Sequence, residues 1–318
     1  MDITNKCPML CQHCSANSTP YLNTFISFEK ASQIIKEAAG LGLEILSFTG
    51  GEPLIHPRLT DMIQLADSLG VKDIRIFTSG LKFRNSRIEP MDVSDVESLA
   101  MAGLKRVFFN LQGASAEIHE RITLTPGSFA AVMSGSKLCK RHDLYVGFHF
   151  VPMKPNWREL TGLVAIGREL DIDEIGVLRF VPQGRGALNR RMLEPSSEEF
   201  NAFQGLASRL IREGGKPKLR LGCPFNSIAE LIPSWEAKPC PAASEMCHIL
   251  INGTVTPCSA FKHEDNVKAG NIYQQTLTDL WREAFPAFTA QRQKMAAEYD
   301  CTAQRILSRR NVTTAQVM

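Results

Sequence analysis

The sequence lacks any apolar run of about eighteen residues, which excludes a membrane-spanning helix. Its opening, MDITNKCPML, has no apolar stretch of the kind a secretory signal needs, so export is not expected. Net charge is also small: 36 Lys and Arg against 33 Asp and Glu leave +3, too mild to argue for a nucleic-acid partner. There is no internal repeat and no low-complexity segment. An even cysteine count is missing as well, because nine thiols cannot all pair. That excludes a complete disulfide framework and points to a cytoplasmic chain in which clustered thiols bind metal or do redox chemistry. What is present is 318 residues, 44% hydrophobic and 22% charged, enough for one large globular domain with or without a small one.

The cysteines are unevenly placed. Three stand at the front, Cys139 is alone, and five lie in the last third. After the front set, Ala31, Ile34, Ile35, Ala38 and Ala39 fall at helical spacing, with Ser27 as N-cap and Gly40 as stop. Short apolar runs then alternate with helical patterns. Strands are expected at 2–4, 44–48, 73–78, 106–111, 144–151, 175–181 and 219–221. Helices are expected over 59–69, 92–102, 129–141, 157–170 and 198–212. Such alternation predicts an α/β fold with a parallel sheet. About six βα units across residues 1–213 are too few for a closed eightfold barrel, which takes about 250 residues, and suit a partial (β/α)6 barrel of TIM type. Cys7, residues 50–52, Ser79, Asn110, Pro152 and Gln183 all fall just beyond expected strand ends, where such folds do their chemistry. From residue 214 to 318 the helical pattern fades and Pro and Cys rise. There, Asn252-Gly253 between apolar alternations predicts a hairpin over 248–257, followed by a helix from Thr276 to about Phe288.

Cys7, Cys11 and Cys14 share one tight loop. Three thiolates can hold three irons of a cubane cluster and leave the fourth open. Zinc prefers four ligands, and His13, inside the loop, is poorly placed to be the fourth. A zinc knuckle or chance clustering is the plainer alternative. Gly50-Gly51-Glu52-Pro53 combines two glycines that admit close approach with a carboxylate at a strand end. By itself it also reads as a tight turn with a capping glutamate.

In combination, these motifs resemble the radical SAM superfamily. The cysteine loop matches its Cx3Cx2C spacing, and the GGEP segment follows Cys14 by thirty-six residues, at the end of the next strand. Thr78-Ser79-Gly80 is similar to the family's Thr-Asn-Gly. The resemblance implies a [4Fe–4S] cluster on Cys7, Cys11 and Cys14, with S-adenosylmethionine on the open iron. It also implies that the backbone of Gly50, Gly51 and Glu52 meets the methionine amino group, that Pro53 belongs to the same cofactor-binding segment, and that Ser79 lies near the ribose. His13 stands where relatives carry an aromatic that stacks toward adenine. Asn110-Leu111-Gln112-Gly113 replaces the usual Ser-x-Asp-Gly: Asn110 keeps hydrogen-bonding capacity, whereas Gln112 removes a charge. Arg179 is placed either to pair with the S-adenosylmethionine carboxylate or as a salt-bridged strand end. Arg185, Arg190 and Arg191 read as a solvated basic loop or as contacts to a phosphate, carboxylate or acidic peptide.

The C-terminal stretch resembles the SPASM and Twitch extensions that carry auxiliary iron–sulfur clusters. The resemblance lies in Cys247, Asn252-Gly253, Pro257-Cys258, Gly270-Asn271-Ile272 and residues 277–281. Because Gln304 stands where a second cysteine of a CxxC would fall, one auxiliary [4Fe–4S] cluster is expected, on Cys240, Cys247, Cys258 and Cys301. Zinc with four thiolates is the alternative. Cys223 is then left over, unless it exchanges roles with Cys240; as the spare thiol it is either packed inertly or a hydrogen-atom donor to a substrate radical, and Cys139 is expected to be inert.

The expected activity is reductive cleavage of S-adenosylmethionine to a 5′-deoxyadenosyl radical that abstracts hydrogen from a substrate, with a flavodoxin- or ferredoxin-type electron donor. Only six residues precede Cys7, too few for the peptide-binding domain that many peptide maturases carry. The expected substrate is therefore a small natural product such as a sugar or aminocyclitol, undergoing epimerisation or dehydrogenation. A ribosomal-peptide maturase is the alternative. A non-catalytic iron–sulfur carrier or sensor is the alternative of another class.

Overall fold

The computed structural model describes residues 1–85, 87–222, 228, 231, 232, 234, 240–283, 285, 286, 288, 289, 301 and 303. Its strands are β1 (Asp2–Thr4), β2 (Ile45–Gly50), β3 (Asp73–Thr78), β4 (Leu81–Arg84), β5 (Arg87–Pro90), β6 (Arg106–Asn110), β7 (Tyr145–Phe150), β8 (Glu174–Val177), β9 (Lys218–Leu221), β10 (His248–Ile249), β11 (Thr254–Thr256) and β12 (Gly270–Asn271). The helices are α1 (Phe28–Gly40), α2 (Leu59–Ser68), α3 (Val93–Met101), α4 (Ala116–Thr123), α5 (Ser128–Arg141), α6 (Leu160–Glu169), α7 (Arg185–Leu188), α8 (Arg190–Leu193), α9 (Ser197–Glu213) and α10 (Leu277–Arg282).

Among the described residues the main sheet runs β1-β2-β3-β6-β7-β8-β9, with every pairing parallel. Strand order follows chain order and β9 does not pair with β1, so the sheet is an open partial barrel wrapped by helices. β9 lies past residue 213, where the sequence pattern placed the end of this region. β8 stops at Val177 rather than reaching residue 181, and the chain leaves the sheet there to form a rim.

The helices form where the sequence supplies caps and an apolar stripe. Ser27 caps α1 by accepting from the Lys30 N–H, and Ala31, Ile34, Ile35 and Ala38 face inward. Asp92 with Asp95, and Ser196 with Glu199, form reciprocal capping boxes on α3 and α9.

Strand alternation sorts the residues into two faces. Ile74, Ile76, Val107, Phe109, Val146, Phe148, Ile175 and Val177 enter the core beneath the helices. Asp73, Arg75, Phe77, Arg106, Phe108, Asn110, Tyr145, His149, Glu174 and Arg220 take the opposite, inner face.

The C-terminal strands β10, β11 and β12 form an antiparallel sheet, the first two being the predicted hairpin. This region docks on the start of the barrel. Lys262 and His248 both reach buried Asp2, at 2.6 Å and 2.8 Å. Leu277 N–H donates to the Glu37 carboxylate on α1 at 2.5 Å. No described helix is long and apolar enough to cross a membrane.

Candidate active site

The cysteine loop leaves β1 and lies across the C-terminal ends of the strands. Gly50 and Gly51 allow the next strand to approach it. Gly50 has φ +116°, and a Cβ there would sit 2.4 Å from the Thr4 carbonyl oxygen; one on Gly51 would sit 1.9 Å from that of Lys6. In place of side chains there are hydrogen bonds: Gly51 N–H donates to Thr4 at 2.7 Å and Glu52 N–H to Lys6 at 2.8 Å. Pro53 opens a short 3-10 turn behind Glu52.

The Glu52 side chain is 1% exposed and accepts four hydrogen bonds. Thr78 Oγ1 donates at 2.6 Å, Ser79 N–H at 2.8 Å, Ser79 Oγ at 2.6 Å and Leu54 N–H at 3.1 Å. The carboxylate thereby clamps the GGEP turn to the end of β3. Burial raises its pKa despite these donors.

The thiols of Cys7, Cys11 and Cys14 are free and close enough that their charges act on one another. Burial pushes Cys7 well above the usual thiol range and Cys11 up to about 12, with Glu52 adding to both and Arg185 opposing at Cys11. Metal binding must therefore displace protons. Among the described residues no three His, Cys, Asp or Glu side chains converge tightly enough for one metal ion. A cubane needs less convergence, because each thiolate takes a separate iron.

Three buried nitrogens without a hydrogen-bond partner surround the loop: His13 Nδ1, Gln183 Nε2 and Arg185 Nη2. Buried polar atoms are normally satisfied, so unsatisfied ones at this spot fit a bound polar group. Burial and then Arg185 lower the His13 pKa to about 4, so its ring is neutral.

Below the loop is the barrel lumen. Its wall contains Phe77 stacked on Phe108 at 5.2 Å and tilted against His149 at 5.0 Å. His149 pairs in register with Asn110 and lies close enough to Arg220 and His13 to feel their electrostatic influence. Burial is the main cause lowering its pKa to about 3. Polar pairs lie at the start of the same face: Asp73 with Arg75 and Arg106, and Glu174 with Arg220 at 2.6 Å and Tyr145 at 3.0 Å.

Asn110 accepts from Gln112 Nε2 at 2.6 Å. Gln112, fully buried, also binds His149 O and Val151 N–H, so it ties the ends of β6 and β7 together. Arg179 is buried with its guanidinium 5.0 Å from the Phe200 ring centre. Arg185 is not a solvated basic residue; it lies against the cysteine loop. Sequence reading missed its role there, and missed His149, whose signal was an inward strand position next to Asn110.

At the rear site, Cys258 feels the charges of Cys301 and Cys240, whereas Cys247 feels the Met1 amine. Burial raises Cys258 strongly and Cys247 to about 11. Cys223 lies outside the described residues.

The sequence model of the Radical SAM superfamily matches residues 1–164, more than half of the chain. The chain belongs to the radical SAM superfamily. A second match, to the SPASM iron–sulfur cluster-binding domain, covers residues 240–303. The cofactors of this radical SAM chain are thus [4Fe–4S] clusters and S-adenosylmethionine. Among relatives, a PqqA peptide cyclase of Gluconobacter oxydans is 24% identical over 88% of this chain and 75% of that protein. An AdoMet-dependent heme synthase of Methanosarcina barkeri is 25% identical over 89% of this chain and 81% of that protein. Streptococcus suis SuiB bound to S-adenosylmethionine shares the fold at TM-score 0.71 and 16% identity, over 95% of this chain and 70% of that one.

Proposed function

We infer that this radical SAM enzyme modifies a peptide. The observation that carries the reading is the match, over most of both chains, to PqqA peptide cyclases. It is supported by the fold shared with SuiB, whose structure with the precursor peptide SuiA has TM-score 0.70. The small natural product favoured by sequence alone has less support.

Cys7, Cys11 and Cys14 hold the radical cluster; Cys240, Cys247, Cys258 and Cys301 hold the auxiliary one. When bound, the cluster and S-adenosylmethionine supply a reducing electron and a radical that abstracts hydrogen from an unactivated C–H. The chain's own residues position and shield. An amino group donates hydrogen bonds, so carbonyl oxygens of residues 50–52 meet it; the N–H groups of Gly51 and Glu52 are committed to Thr4 and Lys6. Ser79 donates its hydroxyl hydrogen bond to Glu52 and accepts one from Leu81 N–H, so it offers the ribose its remaining oxygen lone pair. His13 would stack toward the adenine, and Asn110 and Arg179 would line the rim around the cosubstrate. Phe77, Phe108 and neutral His149 wall the lumen where the substrate C–H would be presented. A flavodoxin- or ferredoxin-type protein supplies the electron.

The test is anaerobic reconstitution with dithionite, S-adenosylmethionine and a short peptide encoded beside the gene. The peptide should accelerate 5′-deoxyadenosine release and change mass. The heme synthase relative favours a second reading, a non-peptide substrate; acceleration by a small-molecule extract and not by the peptide would select it.

A further inference from the structure

The chain that follows β8 turns back over the cysteine loop and holds it. Arg185 Nε donates to the Cys11 carbonyl at 2.9 Å, and the Arg185 N–H donates to that of Cys14 at 3.0 Å. Asn189 Nδ2 donates to the Gln12 carbonyl at 3.0 Å. Gly184, at φ +53°, makes the approach possible, since a Cβ there would lie 2.6 Å from the Cys14 oxygen and 2.7 Å from that of Ser15. Three loop carbonyls are thus held by a single short stretch more than 170 residues away in sequence.

The same stretch is tied to the auxiliary domain. His263, in the turn after Cys258, donates its N–H to Gln183 Oε1 at 3.3 Å. Its ring Nε2 lies 2.8 Å from the Ser15 carbonyl, next to Cys14. A line of hydrogen bonds therefore runs from the auxiliary region to the radical cluster's own loop.

We propose that residues 183–189 are a clamp on the cluster loop, with Arg185 as its positioning residue, and that His263 ties this clamp to the auxiliary domain. A guanidinium fixed at the loop does two things. It sets the carbonyls, and hence the direction in which the thiols point. It also places a positive charge beside a cluster that becomes more negative on reduction, and hydrogen bonds and local charge set cluster potentials. The proposal rests on membership of the radical SAM family and not on the peptide substrate.

The test uses anaerobically reconstituted holoenzyme without substrate. It reads the EPR signal that responds to S-adenosylmethionine, its reduction potential, and iron retention against a chelator. Arg185→Met should move the potential to more negative values and weaken the S-adenosylmethionine-induced change. It should also cut iron retention by about 10–100-fold, the scale of outer ligand-shell effects. Arg185→Lys should recover the potential, which needs charge, but not the retention, which needs the Nε–H bond to the Cys11 carbonyl. His263→Ala should move the same signal by a smaller amount from outside the barrel. Unchanged potential, signal and retention in Arg185→Met would overturn the clamp. If that variant does not fold, Asn189→Ala removes only the Gln12 contact: a shifted signal supports the clamp, and unchanged signals in both Asn189→Ala and His263→Ala overturn it. Because no peptide is added, failure here leaves the substrate assignment standing, and a wrong substrate leaves the clamp standing.

Discussion

The two cysteine sites are built on opposite principles. The front site places three thiols within eight residues, so chain connectivity alone brings them together. The rear site spreads four from 240 to 301, and folding must assemble it. The front loop is fixed by contacts to its backbone: the GGEP turn from one side and Arg185 with Asn189 from the other. The rear region is held mainly through side chains, by the charged pair of Lys262 with Asp2 and by hydrogen bonds from His248 to Asp2 and from Leu277 N–H to Glu37. On the proposed assignment, a short loop of three would leave one coordination position for a cosubstrate, whereas four dispersed thiols would complete a site. Both belong to a protein whose reaction needs one open cluster.

The comparison breaks most sharply at Cys11. Cys11→Ala removes a ligand that nothing can replace, so cleavage of S-adenosylmethionine should fall by more than the roughly 100-fold that outer-shell changes cause, measured as 5′-deoxyadenosine release. Cys258→Ala should behave differently: total iron should drop from about eight to about four per chain as a four-iron cluster is lost, with the S-adenosylmethionine-responsive EPR signal kept. Four irons and one zinc in the unaltered protein would instead assign the rear site to zinc.

Asp2 tests the charge that docks the rear region. Burial alone would raise its carboxyl, but Lys262 and then His248 hold it well below its ordinary range. Burial keeps His248 itself neutral, with its pKa lowered to about 4, so the charged pair is Asp2 with Lys262. Asp2→Asn leaves that lysine buried and unpaired, at a cost of about 3–5 kcal/mol in chemical denaturation. The sign of the pH dependence follows from a depressed carboxyl. The stabilisation is present above the ordinary Asp pKa of about 3.9 and is lost as pH falls below it. Glu52→Gln is the counterpart at the front site: an amide cannot accept all four donors, and each buried donor left unsatisfied costs about 1–3 kcal/mol. Thermal denaturation of the reconstituted protein reads it.

These differences also explain what was legible in the sequence. The central sheet strands could be read because they are short apolar runs flanked by helical patterns, whereas β1 (DIT) and β9 (KLRL) followed from their place in the alternation; the front site could be read because its three cysteines are neighbours in the chain. The β4–β5 hairpin was missed because LKFR and RIEP are only four residues each and half charged, so the brief alternation in LKFR is too short to stand out. α4 was missed because its polar run, AEIHERIT, looks like a loop. The clamp was hidden because α7 and α8 are four residues each, too short for periodicity, and an arginine bonded to a carbonyl 174 residues away leaves no local mark. The Asp2–Lys262 pair, 260 residues apart, is invisible for the same reason.

Cys139 offers the smallest effect and the cleanest control. It is fully buried in α5, and burial alone pushes its thiol up to about 12. Cys11 reaches the same value, so a raised thiol does not distinguish a ligand from packing. What differs is company: Cys11 feels Cys14 and Arg185, while desolvation is the sole cause acting on Cys139. A neutral thiol with no charged neighbour behaves as a small apolar side chain. Cys139→Ala should therefore cost about 1 kcal/mol, the common size for a single core change, and leave iron content and S-adenosylmethionine cleavage unchanged. Loss of iron in that variant would mean that proximity to other thiols is not what marks the ligands in this chain, and would reopen the assignment at both sites.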